Sequence, residues 1–279
     1  DVLRAHAVRL PLTRSWDDLC DTCGTGGDGA GTVNVSTLAA LVAAGAGVRV
    51  AKHGNRAASS RCGSADLLEA MGVNLEASPE QVARCIEEAG FGFCFAPKFH
   101  PAMRAVAGAR RALGIRTIFN LIGPLANPAP IAFQLAGVPE ARLAEPMAEA
   151  LSRLGIRHGL IVHGSDGLDE VTTTGPSTIL EVRGGRVERR TCDPAELGIP
   201  PARPEALRGG DPATNARMAA GVLDGVRSPV RDLIILNAAW ALVAAEKTAD
   251  VREALAQAAE SVDSGKAKRI LERVRELTR

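Results

Sequence analysis

The chain has 279 residues, 46% of them apolar and 23% charged, with 33 Lys and Arg against 32 Asp and Glu for a formal charge of +1. These values exclude a disordered, collagen-like or coiled-coil polypeptide and leave one large α/β domain, alone or with a small second one. The balanced charge, and aromatics at 3% with no Tyr, argue against nucleic-acid or membrane surfaces, so any anion must be held by local groups.

Short β-like runs alternate with helical patterns, which predicts an α/β fold with a mainly parallel central sheet flanked by helices. Residues 19–23 read as a strand that runs into a glycine-rich turn. Ser36 or Thr37 then caps a helix through Ala44, closed by Gly45 and Gly47. A strand at 48–51 and a helix at 64–71 follow, and Ser78, Pro79 and Glu80 open the next helix. Residues 92–95 predict a strand, and His100 with Pro101 opens a helical stretch to about Leu113. Strands are expected at 115–119, 131–138 and 159–162, with a helix over 139–154. Residues 172–191, alternating around Gly184 and Gly185, predict an antiparallel hairpin. Helices at about 212–223, 228–246 and 250–265 and a charged C-terminal helix complete the chain.

The six Cys include one CxxC pair, Cys20 and Cys23, with no second pair or nearby His to complete a zinc site. Reduced thiols in a cytoplasmic protein are therefore expected. The N-terminus carries no signal-peptide apolar core, and the strongly apolar run 233–245 is too short to span a bilayer.

Three segments concentrate chemistry. Residues 21–37, DTCGTGGDGAGTVNVST, place glycines and hydroxyls between a strand and a helix N-terminus, where backbone N–H groups and the helix dipole can cradle phosphate. The spacing matches neither the dinucleotide nor the Walker fingerprint. Residues 52–66, KHGNRAASSRCGSAD, follow a strand and add the cations Lys52 and Arg56 with Gly54, Ser59, Ser60, Gly63 and Ser64, again suited to a polyanion. His53, taken alone, reads as a packing or hydrogen-bonding histidine rather than a base. In residues 166–170, DGLDE, adjacent Asp169 and Glu170 at a strand's end suit Mg²⁺ already carrying phosphate oxygens; a solvated acidic turn is the alternative.

Together with HPAMR and RRALGIRTIFNLIGPLANP (residues 100–128) and VHGSDGLDE, these segments resemble, in order, the motifs of the anthranilate phosphoribosyltransferase family. The resemblance spans residues 21–279. It implies a nucleoside phosphorylase/phosphoribosyltransferase type of fold, a large α/β domain hinged to a small helical one, and transfer of phosphoribose from phosphoribosyl pyrophosphate to anthranilate. Carried over motif by motif, Gly24, Thr25, Gly27, Asp28, Thr32, Asn34, Val35, Ser36, Thr37, Lys52, Ser60 and Ser64 line the phosphoribosyl pyrophosphate site. Ser36 holds one Mg²⁺, and Asp169 with Glu170 the other. Gly24, His53, Asn55, His100, Arg110, Gly123 and Pro124 form the anthranilate site, with Arg110 facing the carboxylate and Asn55 the amine. The amine is neutral at pH 7, so positioning and electrostatics suffice and no dedicated base is required.

The resemblance also implies a cytoplasmic homodimer. Residues 1–18 are expected as the remnant of a longer N-terminal helical region, 19–279 as the α/β domain, and 79–113 as contributors to the helical one. A pyrimidine nucleoside phosphorylase of the same fold is disfavoured by the paired DE and by the spacing from HPAMR to Arg110. A noncatalytic nucleic-acid-binding relative is disfavoured by the balanced charge and intact motifs.

Overall fold

The computed structural model describes residues 2–13, 16–57, 60–115 and 117–279, the side chains of 107, 110, 111 and 113 excepted. One helical turn, α1 (Val2–Ala5), precedes β1 (Leu19–Gly24). Next come α2 (Val35–Gly45), β2 (Arg49–Gly54), α3 (Ser64–Ala70), α4 (Pro79–Arg84) with a π-helical continuation (Cys85–Ala89), β3 (Phe91–Phe95), α5 (Ala96–Phe99) and α6 (Arg104–Leu113). The second half holds β4 (Phe133–Gly137), α7 (Ala144–Arg153), β5 (His158–Gly164) and the hairpin β6 (Ser177–Arg183) and β7 (Arg186–Cys192). It closes with α8 (Pro212–Leu223), α9 (Pro229–Ala244), α10 (Val251–Asp263) and α11 (Lys266–Leu277).

The seven strands lie in the order β3-β2-β1-β4-β5-β6-β7. The first five are parallel, and β6 and β7 extend the sheet antiparallel. The chain winds outward from β1 to β3, then returns to place β4 on the other side of β1. Loops leaving β1 and β4 therefore diverge, which opens a crevice at the carboxyl ends of these two strands.

Strand alternation builds a core on both faces. Cys20, Val50, Leu135 and Leu160 face α2 and α9, whereas Cys23, Ala136 and Ile161 face α7. Leu19 and Ala51 join Leu10, Trp16, Val82 and Ile86 on that second side. Thr13 donates from its N–H and hydroxyl to Glu87, at 2.7 Å each, so Leu10, Thr13 and Trp16 are anchored to the α/β body. Residues 85–89 also pack on β3 and α11, while Arg104, Ala105, Gly108 and Ala109 of α6 face solvent. The stretch 79–113 thus divides between the sheet body and an exposed helix.

Several expectations change. The described residues of 115–119 form no strand: Thr117 caps a 3-10 turn (Ile118–Asn120), accepting from Phe119 N–H at 3.3 Å while Asn120 accepts from Thr117 N–H at 2.9 Å. Ile115 and Ile118 are 67% and 61% exposed, and their β-branched pattern has no neighbouring strand to pair with. Neither Ser36 nor Thr37 caps α2. The cap position is Asn34, whose amide bonds elsewhere. The helix expected over 139–154 is a 3-10 turn (Ala141–Leu143) leading into α7.

Candidate active site

The crevice at the seam is bounded by the turns after β1, β2, β4 and β5. Gly24 and Gly137 are register partners at the ends of β1 and β4, and Thr25 N–H continues the ladder to the Gly137 carbonyl at 3.0 Å. Both glycines are dictated by Asp169. A β-carbon at Gly24 would lie 2.1 Å from its Oδ2. Gly26 N–H donates to the same Oδ2 at 2.7 Å, so the β5 loop and the glycine-rich loop meet directly. The far half of that loop is stapled to residues 207–215. Val33 N–H donates to Leu207 O at 3.1 Å, and Gly209 N–H to Gly31 O at 2.9 Å. Asn215 Nδ2 donates to Asn34 Oδ1 at 2.9 Å.

Asn34 in turn donates to the Cys62 carbonyl at 2.9 Å, tying the β1 loop to the β2 loop. Thr32 forms an isolated bridge with Arg208. Val35 is buried in the core, so its side chain does not enter the crevice. Asn34 and Thr32 therefore shape the loop at least as much as they line it.

Lys52 and His53 are adjacent on β2 and serve opposite faces of the sheet. Lys52 is buried and donates to the Thr22 carbonyl and, at 3.3 Å, to Ser36 Oγ. Thr22 Oγ1 reaches Ser36 O at 2.8 Å, and Ser36 N–H donates to Glu170 Oε1 at 3.1 Å. One N–H at the α2 N-terminus, expected to face phosphate, is thus taken by a carboxylate. On the other face His53 Nδ1 donates to Gly123 O at 3.2 Å, and its ring meets His100 edge-on with centroids 5.0 Å apart. Gln134 holds the Pro124 carbonyl at 2.7 Å.

Beneath them lies a residue that motif reading passed over. Asp21 is fully buried, accepts from His53 N–H at 3.2 Å and from Asn127 Nδ2 at 2.8 Å, and has its carboxyl pushed up by burial against the offsetting charge of Lys52. A lone aspartate inside an otherwise apolar strand was the available signal. Asn55 and Ser64 sit together on the β2 loop, with Ser64 Oγ donating to Asn55 O at 3.2 Å. Ser60 Oγ donates to Cys62 O at 3.3 Å. Arg56 is held by Asp66 and Glu69, so its charge is largely answered within the loop. Ser59 and the Arg110 side chain lie outside the described residues.

Burial raises the Asp169 carboxyl to about 6, and the neighbouring charge of Asp28 adds to the rise. Burial and then Asp169 push Glu170 well up in the same way. Carboxylates gathered in this way repel unless a cation joins them. Among the described residues no group of three His, Cys, Asp or Glu converges in ligand geometry. This is not a transition-metal cage; it fits Mg²⁺, which takes one or two carboxylates and fills its shell with phosphate oxygens and water. Thr25 Oγ1, Thr37 Oγ1 and His53 Nε2 are buried with no partner among the described residues.

A doubly wound sheet with a polyanion loop and buried carboxylates at its switch point defines a group transferase that grips a phosphorylated donor. In agreement, the model of the glycosyl transferase family, a/b domain, matches residues 16–268. The anthranilate phosphoribosyltransferase of Roseiflexus sp. (strain RS-1) is 54% identical over 98% of this chain and 80% of its own length. The crystal structure of the Thermus thermophilus enzyme of that name superimposes with a TM-score of 0.92 at 50% identity, covering 99% of this chain and 82% of the other. The Saccharomyces cerevisiae enzyme in complex with PRPP and Mg gives 0.92 at 31% identity, covering 99% and 77%. The chain belongs to the anthranilate phosphoribosyltransferase family.

Proposed function

We propose that this protein joins the amine of anthranilate to C1 of phosphoribosyl pyrophosphate, giving phosphoribosylanthranilate and pyrophosphate in tryptophan biosynthesis. The observation that carries the reading is the division of labour on β2. Lys52 points to Ser36, whose N–H in turn holds Glu170, on one face, and His53 points to Gly123 and His100 on the other. The anion-gripping half and the half that receives the flat amine thus meet at one strand end. The family name and the PRPP and Mg complex of the yeast enzyme support the same substrates.

The glycine-rich loop, through N–H groups other than those of Thr25, Gly26, Ala30 and Val33 that are already bonded within the protein, holds the pyrophosphate together with Lys52, Ser60 and Ser64, and the negative charge of that group grows as its bond to C1 breaks. Ser36, and Asp169 with Glu170, would hold two Mg²⁺ ions, which would supply counter-charge for the leaving pyrophosphate. His53 donates from Nδ1 to a carbonyl and stays neutral, its pKa lowered to about 3 by burial and by neighbouring His100. Its Nε2 therefore carries a lone pair, the polarity that accepts an N–H of the arylamine. The nitrogen forms its bond to C1 as the C1–O bond breaks, and the surplus N–H proton leaves to solvent after attack. Arg110 answers the anthranilate carboxylate and Asn55 assists at the amine. We further propose a cytoplasmic homodimer in which α6 belongs to the small helical unit; no helix among the described residues is long and apolar enough to cross a membrane.

The test is direct. Protein with phosphoribosyl pyrophosphate, Mg²⁺ and anthranilate should release pyrophosphate as anthranilate fluorescence is consumed. No turnover, alongside phosphorolysis of thymidine or uridine, would overturn the reading in favour of a phosphorylase.

A further inference from the structure

One polar residue of the apolar run 233–245 has no part in the chemistry above. Asn237 is fully buried in α9, with Leu233, Ile234, Leu236 and Ala238 buried around it on the helix. A carboxamide in such a place is unfavourable unless its polar atoms are paired. Here they are. Oδ1 accepts from Val171 N–H at 2.9 Å, and Nδ2 donates to Val171 O at 2.8 Å and to Leu233 O at 2.9 Å.

Val171 directly follows Glu170. It is fully buried, in a segment between β5 and β6 that belongs to no strand, so its peptide groups need partners that no sheet supplies. A helix cannot lend its own backbone, already engaged in i to i−4 bonds. The Asn237 carboxamide instead presents one acceptor and one donor side by side, as a neighbouring strand would. Asp166 gathers the same loop from within, accepting from the Thr172 and Thr174 hydroxyls at 2.6 Å each.

We infer that Asn237 is a positioning residue for the metal carboxylates: by clamping both polar groups of Val171 it sets the direction in which Asp169 and Glu170 project toward Gly24, Gly137 and Ser36. The inference rests on the metal-dependent transfer proposed above and adds a residue that touches neither metal nor substrate. An apolar side chain there would leave the buried Val171 N–H and C=O unpaired, and the loop would turn to satisfy them elsewhere.

Asn237→Leu, close in volume, removes all three bonds. Leu236→Ala is the control, loosening the same helix by a cavity while leaving the Val171 hydrogen bonds to Asn237 in place. Mn²⁺ is titrated into each protein with phosphoribosyl pyrophosphate but no anthranilate, and the free ion is read by paramagnetic resonance beside a thermal melt. Asn237→Leu should weaken Mn²⁺ binding by about ten-fold with the KM for anthranilate unchanged, while Leu236→Ala lowers the melting point and keeps parental Mn²⁺ affinity. Parental affinity in Asn237→Leu, or losses in both variants that track their melting points, would overturn the clamp. Should Asn237→Leu fail to fold, Asn237→Ser, whose short hydroxyl cannot span both polar groups of Val171, is read by the same criteria. A parent protein that binds no Mn²⁺ even with phosphoribosyl pyrophosphate sinks the underlying transfer reading, an outcome distinct from failure of the clamp alone.

Discussion

A β-carbon on Gly137 would lie 1.6 Å from the carbonyl oxygen of Asp169, so the end of β4 and the Asp169-bearing loop after β5 occupy adjoining space that only a glycine leaves open. The requirement is one of close backbone approach rather than of unusual dihedral angles.

Gly137→Ala should therefore move Asp169 rather than unfold the sheet. Calorimetric titration with phosphoribosyl pyrophosphate at fixed Mg²⁺ should show affinity reduced by about ten-fold or more. Parental affinity would mean that the Asp169 backbone can shift without disturbing the ion.

Lys52 offsets the buried Asp21 and Glu170 carboxylates. Lys52→Met should destabilise the fold by about 3 kcal/mol, the usual scale for stranding a buried charge. Adding Asp21→Asn should recover part of that stability in urea unfolding and none of the turnover. Equal stability of the single and double variants would remove Lys52 as the counter-charge.

Acid should weaken the protein through its buried histidines. Folded His53 resists protonation to about pH 3, against 6.5 for the free side chain, because of burial and then His100; His100 and His158 are lowered by burial as well. Below pH 6.5 the unfolded chain binds protons that the folded chain refuses, so stability present above 6.5 is lost as pH falls. His53→Gln should flatten the fall in unfolding free energy between about pH 6 and 4 by up to roughly 1.4 kcal/mol per pH unit. An unchanged slope would show that His53 titrates in the folded state.

Arg110→Ala should raise the KM for anthranilate by about ten-fold or more, the scale of a lost charge-assisted contact, with far less effect on phosphoribosyl pyrophosphate. Equal losses for both substrates would reassign Arg110.

The glycine-rich loop between β1 and α2 is readable in the chain because its glycine and hydroxyl residues run close together, as in residues 24–37. What escapes is single polar residues whose partners are remote. Asn127 meets Asp21 across 106 positions, Asn237 meets Val171 across 66, and Asn215 meets Asn34 across 181. Such pairs leave no local periodicity. The strand expected at 115–119 fails for the complementary reason: β-branched residues are present, but a strand also needs a neighbour, and exposed Ile115 and Ile118 have none among the described residues.

The stapling of the glycine-rich loop to residues 207–215 bears on when a nascent chain becomes competent. Residues 24–37 leave the ribosome early, yet Gly31, Val33 and Asn34 find their partners only after Leu207, Gly209 and Asn215 have been made. The glycine-rich loop, proposed above to bind the donor, is thus completed by contacts of high sequence separation, which close late in folding. An unfinished chain carries the motif without the grip, and a bound donor would protect the cooperative core as a whole rather than one corner of it.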